Sequence, residues 1–195
     1  MRGYQITLRD DPQHLRLYTP SAADVRRHAG RLAEFYNDPH NRAMMGHSAE
    51  HTAEDVIALY TDPSPDTLRF LIEAEGRLLG DADLRHIEPA RGTAEYAVMI
   101  GEPAAQGRGW GTQVSIMAAG LAFRELGLRR LYLSVGPANA AGRRCYEKVG
   151  YRLDPSAAAA ARRDQPDDLV MSITPRALAI AHGGRLAAMM YGPWA

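Results

Sequence analysis

The stretch "TAEYAVMIGEPAAQGRGWGTQVSIMAAGLAFRELG" passes from an apolar strand-like run, through a loop with Gly107, Gly109 and Gly111, into an amphipathic helix-like run closed by Gly127. A strand that feeds a helix through a glycine loop brings backbone close to whatever it holds. A dinucleotide fingerprint requires G-x-G-x-x-G, but counting from Gly107 the third glycine falls one place early and Thr112 holds its site. A nucleoside-triphosphate loop requires a lysine after its last glycine, and none follows here. Both nucleotide loops fail on spacing. What remains is a helix N-terminus with unpaired amides behind small residues, an arrangement that binds phosphate through backbone N–H groups and the positive end of the helix dipole. Arg108 can add a charge-assisted contact. A tight glycine-rich connection with no ligand is the competing reading.

The rest of the chain sets that segment in an α+β frame. "YQITLRDDPQHLRLYTP" reads as strand, turn, strand, and "TLRFLIEAEGRLLGDADLRHI" as a hairpin about Glu75-Gly76. Ser21 with Asp24, and Thr52 with Asp55, mark two helix starts, stopped by "NDP" and by Asp62-Pro63. "RLYLSV", "YRLD" and "DLVMSI" read as strands, and "NAAGRRCYEKVG" as a short helix. The alanine-rich "PSAAAAARRDQPDD" suits a short exposed helix or a loop. The tail "RALAIAHGGRLAAMMYGPWA" reads as two helical pieces broken at Gly183-Gly184, with an apolar face that must pack on its own domain or on a partner. Strand pairs of both kinds argue for a mixed sheet rather than a doubly wound parallel one.

Composition narrows the function classes. With 23 basic and 23 acidic residues over 195 positions, no global field favours nucleic acid or an anionic membrane. No run approaches the length of a membrane span, and the N-terminal stretch is not a signal peptide, so a cytoplasmic location is expected. Cys145 is the only cysteine, which excludes an intrachain disulfide, and the histidines lack metal-ligand spacing.

A second motif decides what the glycine loop is for. "NAAGRRCYEKVGY" places Asn139 at a helix cap and Tyr146 two turns on. Together with "QGRGWG" about thirty residues upstream, it resembles the GNAT superfamily of acetyl-coenzyme A-dependent N-acetyltransferases. That family's loop reads Q/R-x-x-G-x-G/A, matched by Gln106, Gly109 and Gly111, and its next helix N-x-x-A/G-x-x-x-Y, matched by Asn139, Gly142 and Tyr146. "IGEP", "GTQ", "ELGLRRLYLSV" and "YEKVGY" are most like the branch with ribosomal-protein-alanine, spermidine and amino-sugar acetyltransferases. Gln113 stands where that branch usually has Glu.

The resemblance implies an α+β fold with a mixed, mostly antiparallel sheet of about seven strands, flanked by about four helices, its strands splayed at the cofactor site. Residues 1–174 would form one acetyltransferase domain, with the cofactor half at about 94–153 and an extension over 175–195. Acetyl-coenzyme A would be the co-substrate, with no metal. Gly107, Arg108, Gly109, Trp110, Gly111 and Thr112 would offer amides to its pyrophosphate, Met99 and Ile100 their backbone to the pantetheine arm, and Asn139 a hydrogen bond to that arm. Gln106 and Gly142 complete the binding set, and Tyr146 would sit near the thioester sulfur. The partner would be a small-molecule amine, with no nucleic acid or membrane and a possible homodimer.

The chemistry constrains the catalytic roles. An amine attacks the thioester carbonyl, an oxyanion forms and a thiolate leaves; a backbone N–H near Ile100 suits the oxyanion. Tyr146 suits a general acid, since a phenol stays protonated at neutral pH, although a tyrosine beside a cysteine can also be core. For the base, Glu95 shares a strand face with Ala97 and Met99, and Asp81 and Asp83 on the preceding strand compete with it. A salt-bridged structural role for Glu95 stands equally open. Cys145 reads as a spectator thiol, and His51 or His47 would line the acceptor side by fold analogy. The readings to separate are an N-acetyltransferase acting on a small amine, one acting on a protein N-terminus, and a coenzyme A-binding module with little transfer.

Overall fold

The computed structural model describes residues 3–46, 49–62 and 64–194. Strands β1 (Gly3–Leu8) and β2 (Arg16–Tyr18) flank a turn held by Asp11, whose carboxylate accepts from the backbone N–H groups of Gln13 and Leu15. Helix α1 (Ala22–Asn37) begins in a capping box between Ser21 and Asp24, and buries Val25, Ala29, Leu32 and Phe35. Asp38 ends α1 but also caps α2 (Pro39–Met45), because proline fits the first helical position. "NDP" is thus a restart as well as a stop. Helix α3 (Ala53–Thr61) repeats the capping box with Thr52 and Asp55.

Strands β3 (Leu68–Ala74), β4 (Arg77–Glu88) and β5 (Thr93–Ile100) form an antiparallel meander. Its first turn carries positive φ at Glu75 and Gly76, as a tight hairpin requires. A 3₁₀ turn (Pro103–Ala105) leads through the glycine loop into α4 (Trp110–Arg124). Then come β6 (Arg130–Val135), α5 (Ala140–Val149), β7 (Arg152–Leu153), the short α6 (Ala157–Ala160) and β8 (Leu169–Ile173). Helix α7 (Pro175–Ala188), kinked at His182, and β9 (Met189–Trp194) close the chain.

One sheet of nine strands runs β7-β8-β6-β5-β4-β3-β2-β1-β9. Every neighbouring pair is antiparallel except β5 with β6. The architecture is α+β, with nine strands and seven α-helices among the described residues where about seven and about four were expected. Helix α2 was not expected, α6 is the short helix that the alanine-rich segment allowed, α7 is the helical tail, and the strand that no pattern announces is β9. "MMYGPW" carries a glycine and a proline, so its extended form depends on pairing along the whole of β1, from Gly3 opposite Trp194 to Leu8 opposite Met189. The tail is therefore two helical pieces that meet at a kink at His182, beside the expected break at Gly183-Gly184, followed by a strand that was not expected.

The two sheet faces divide the core. Ala94, Tyr96, Val98 and Ile100 of β5 face the large cluster with α4, Tyr146 and Leu178 of α7. Met99 faces the second cluster, with Tyr18, Leu71 and the apolar sides of α1 and α3. Among the described residues no helix is long and apolar enough to cross a membrane.

Candidate active site

Parallel strands β5 and β6 are paired only from Thr93 with Arg130 to Glu95 with Tyr132. Beyond that, Tyr96–Ile100 and Leu133–Val135 diverge without a ladder, opening a gap at the carboxyl ends of both strands. Because the strands run the same way, the helices that follow them begin at that same end. Helix α4 follows β5 and α5 follows β6, so two helix N-termini flank the gap. On its other side β5 stays paired to β4, with Gly80 opposite Ile100 and Asp81 opposite Met99. Gly80 has φ +156°, and a Cβ there would lie 1.9 Å from the Met99 carbonyl oxygen, so glycine is what lets β4 approach so closely.

The N-terminus of α4 differs from the others. Helices α1, α2, α3, α5, α6 and α7 each receive a side-chain cap, from Ser21, Asp38, Thr52, Asn139, Ser156 and Thr174. Helix α4 receives none: its cap residue is Gly109, at φ +91°. The N–H groups of Trp110, Gly111 and Thr112 therefore keep their hydrogen-bonding capacity, at the positive end of a helix of 15 residues. A Cβ at Gly107 (φ +72°) or Gly109 would meet no protein atom within 4 Å, so these glycines serve backbone conformation and open space rather than packing. Arg108 is exposed beside them. The arrangement fits an anionic group, as a coenzyme A pyrophosphate requires.

Several expected binding residues take more specific places. The Trp110 side chain is buried in the core, which leaves only its amide for a ligand. Gln106 donates to Asn41 Oδ1 and to the Ile100 carbonyl, both at 2.9 Å, and so ties the loop to β5 and α2. Asn139 Oδ1 caps α5 through the Gly142 N–H at 2.8 Å, and its Nδ2 faces the Met44 carbonyl at 3.4 Å. Gly111 and Thr112 lie against Cys145, the Thr112 hydroxyl 3.3 Å from its sulfur. Burial raises the Cys145 thiol above its ordinary pKa, which suits a spectator rather than a nucleophile.

Tyr146 is buried beside Tyr151, their rings 5.9 Å apart and edge to face. Burial pushes its hydroxyl well above the phenol range, and no described residue hydrogen-bonds it. Its O–H is therefore protonated and uncommitted. Glu95 is otherwise. Arg162 holds its Oε1 at 3.2 Å and Arg85 approaches its Oε2 at 3.4 Å, with Arg162 also bound to Glu88. It lies where β5 and β6 are still paired, four residues, or about 13 Å of strand, from Met99. A salt-bridged role was one of the two readings open for Glu95, but its partner Arg162 comes from the alanine-rich segment 67 residues away and has no local signature.

Asp81 and Asp83 share the face of Met99, directly opposite Met99 and Ala97. The hydroxyls of Tyr36 on α1 and Tyr60 on α3 both donate to Asp81 Oδ2, the second at 2.9 Å. Burial raises both carboxyls above the usual range, Asp83 further through the charge of Asp81. His51 stacks obliquely on Tyr36, ring centroids 5.2 Å apart, so it reaches this side, whereas His47 lies outside the described residues.

Residues 14–152, which include the splayed strands and the uncapped helix, match a family model described as the acetyltransferase (GNAT) domain. The chain belongs to the GNAT acetyltransferase family. Spermidine N(1)-acetyltransferase of Escherichia coli strain K12 is 31% identical over 86 residues, which are 44% of this chain and 46% of that relative. The match thus spans about half of the relative's length. RimJ of Mycobacterium smegmatis, solved in complex with CoA-disulfide, superposes with a TM-score of 0.74 at 19% identity, over 94% of this chain and 93% of that one. Spermidine N-acetyltransferase of Vibrio cholerae, solved with CoA and spermine, gives 0.68 at 21% identity, over 84% and 97%. At these identities the solved structures establish the GNAT fold, in chains that were seen with coenzyme A compounds bound.

Proposed function

We propose that this GNAT chain transfers the acetyl group of acetyl-coenzyme A to a primary amine of a small molecule, by direct attack within a ternary complex. The observation that carries the reading is the uncapped N-terminus of α4 beside the gap between β5 and β6. The amides of α4 take the pyrophosphate, and the free edge of β5 near Met99 and Ile100 takes the pantetheine arm. The amine nitrogen attacks the thioester carbon, and a β5 amide already fixed by the sheet stabilises the oxyanion.

Tyr146 donates to the departing sulfur. Its raised pKa makes full proton transfer to a thiolate, of ordinary pKa about 8.5, unfavourable. Its contribution is therefore a hydrogen bond that stabilises the developing charge. The acceptor class follows the spermidine relatives and stays at the level of primary amines; a protein N-terminus is the second class, suggested by the fold shared with RimJ across nearly the whole chain.

The test is release of free thiol from acetyl-coenzyme A with a panel of glucosamine, spermidine, kanamycin and a peptide with a free N-terminus. Wild type should release thiol above the hydrolysis rate with at least one amine. Tyr146→Phe should lower kcat by about 10²-fold with KM for acetyl-coenzyme A little changed. Coenzyme A binding without amine-dependent release from any acceptor would overturn the transfer reading in favour of a binding module.

A further inference from the structure

The sheet face beneath α1 and α3 presents four carboxylates, Glu73, Asp81, Asp83 and Glu95, and their partners divide them. Glu73 is bound by Arg16 and by the Tyr18 hydroxyl, with His28 at 3.3 Å. Glu95 has an arginine at each oxygen. Among the described residues neither Asp81 nor Asp83 forms a salt bridge. Asp81 is held instead by two phenols on one oxygen, which leaves Oδ1 with no side-chain donor. Asp83 Oδ1 is buried with no hydrogen-bond partner at all. Arg69 of β3, directly opposite Asp83, acts on both through its charge but forms no salt bridge with either, and a cationic ligand would supply the pairing that these buried carboxylates lack.

Register puts the pair at the reacting end of the gap. Asp81 is directly opposite Met99, so their Cα atoms are about 5 Å apart, one residue from the Ile100 backbone where the strand edge is open. We propose that Asp81 receives the acceptor amine, pairing with its ammonium and taking its proton, and that the Tyr36 and Tyr60 hydroxyls are positioning residues that hold this carboxylate for the step. The inference rests on the amine-transfer reading and deepens it. The first N–H proton of R–NH3⁺ passes to Asp81, and the freed lone pair forms the C–N bond. The C–S bond then breaks with its electron pair on sulfur. The second proton leaves nitrogen for that thiolate, and Asp81 returns its own proton to water. With Glu73 and Glu95 already ion-paired, the face offers only the Asp81–Asp83 pair to an acceptor ammonium at the reacting end.

The groups that set Asp81's working range come from each element around it. They are Tyr36 from α1, Tyr60 from α3, Arg69 from β3 and Asp83 from its own strand, with Arg85 acting on Asp83. Hydroxyl donors favour the carboxylate and a neighbouring negative charge disfavours it. Tyr60→Phe should therefore move the acidic limb of kcat/KM to higher pH by roughly half a unit or more, and Asp83→Asn should move it lower. Asp81→Asn should cut kcat/KM at pH 7 by about 100-fold or more.

The experiment is the pH profile of thiol release for wild type and these three variants, using the best amine of the panel. Calorimetry with coenzyme A shows that each variant is folded. A second titration measures binding of that amine to the protein–coenzyme A complex. Movement of the limb in both predicted directions, with coenzyme A affinity kept, supports the assignment. Thiol release by Asp81→Asn within threefold of wild type overturns it, as does an unmoved limb in Tyr60→Phe. Amine bound by wild type and lost in Asp81→Asn, with no thiol released by either, overturns the transfer reading while supporting Asp81 as the ammonium seat. No binding of any amine overturns both.

Discussion

Asp83 links the charge on Asp81 to the stability of the fold. Its carboxyl is raised by burial and by the charge of Asp81, so the folded state holds its proton to higher pH than the unfolded chain, where an aspartate titrates near 4. Between that value and neutrality the folded protein binds more protons, so the slope of stability with pH is negative for this group. Its contribution is fully present below the unfolded pKa and lost as pH rises through the folded one. Asp83→Asn should therefore gain stability over wild type between pH 5 and pH 8, by about 1.4 kcal/mol for each unit by which the folded pKa is raised within that window. Urea unfolding of both proteins at the two pH values checks this. Equal differences at both pH values would show that Asp83 is already ionised at low pH. The pair's position was legible, since alternation along β4 puts Asp81 and Asp83 on one face. The loss of Glu95 to Arg85 and Arg162 was not, because a salt bridge across 67 residues leaves no local trace.

At the scale of the element, helix boundaries were legible wherever a cap announced them. Ser21, Thr52 and Asn139 were each identified from one side chain and its spacing. Helix α2 escaped because Asp38-Pro39 serves two helices at once. The informative case is α4, where the absence of a capping side chain was written in the sequence as Gly109 and became meaningful only beside six capped helices. Gly109→Ala separates conformation from contact. A Cβ there meets no protein atom within 4 Å, but the residue must adopt φ near +91°, at roughly 1–2 kcal/mol, beside the amides proposed to take phosphate. The expected outcome is about a tenfold or greater loss of coenzyme A affinity by calorimetry, with a melting shift of only a few degrees. An unchanged affinity would mean that the pyrophosphate does not approach this cap.

Across the whole molecule, the order of strands and helices was legible but the sheet's edge was not. The parallel β5–β6 pairing ends early, and each of the two strands feeds a helix that begins at the same end of the gap. Strand β9 follows only from tertiary pairing, since its residues acquire a partner when β1 is already in place. It also covers the core: a Cβ on Gly120 of α4 would lie 2.8 Å from the Tyr191 hydroxyl and 2.9 Å from the Met189 sulfur, so the glycine admits the strand against the helix. Removing residues 189–195 should uncover that apolar surface and leave β1 as a bare edge with unpaired N–H and C=O groups. Two large apolar side chains at about 1.5–3 kcal/mol each, with about 2–4 °C for each kcal/mol in a chain of this size, predict a melting temperature lower by roughly 10 °C or more. An exposed β1 edge should also make the truncated chain self-associate with rising concentration, visible by light scattering. A truncated protein that melts within about 3 °C of the full chain and stays monodisperse would show that β9 rests on the sheet without supporting it.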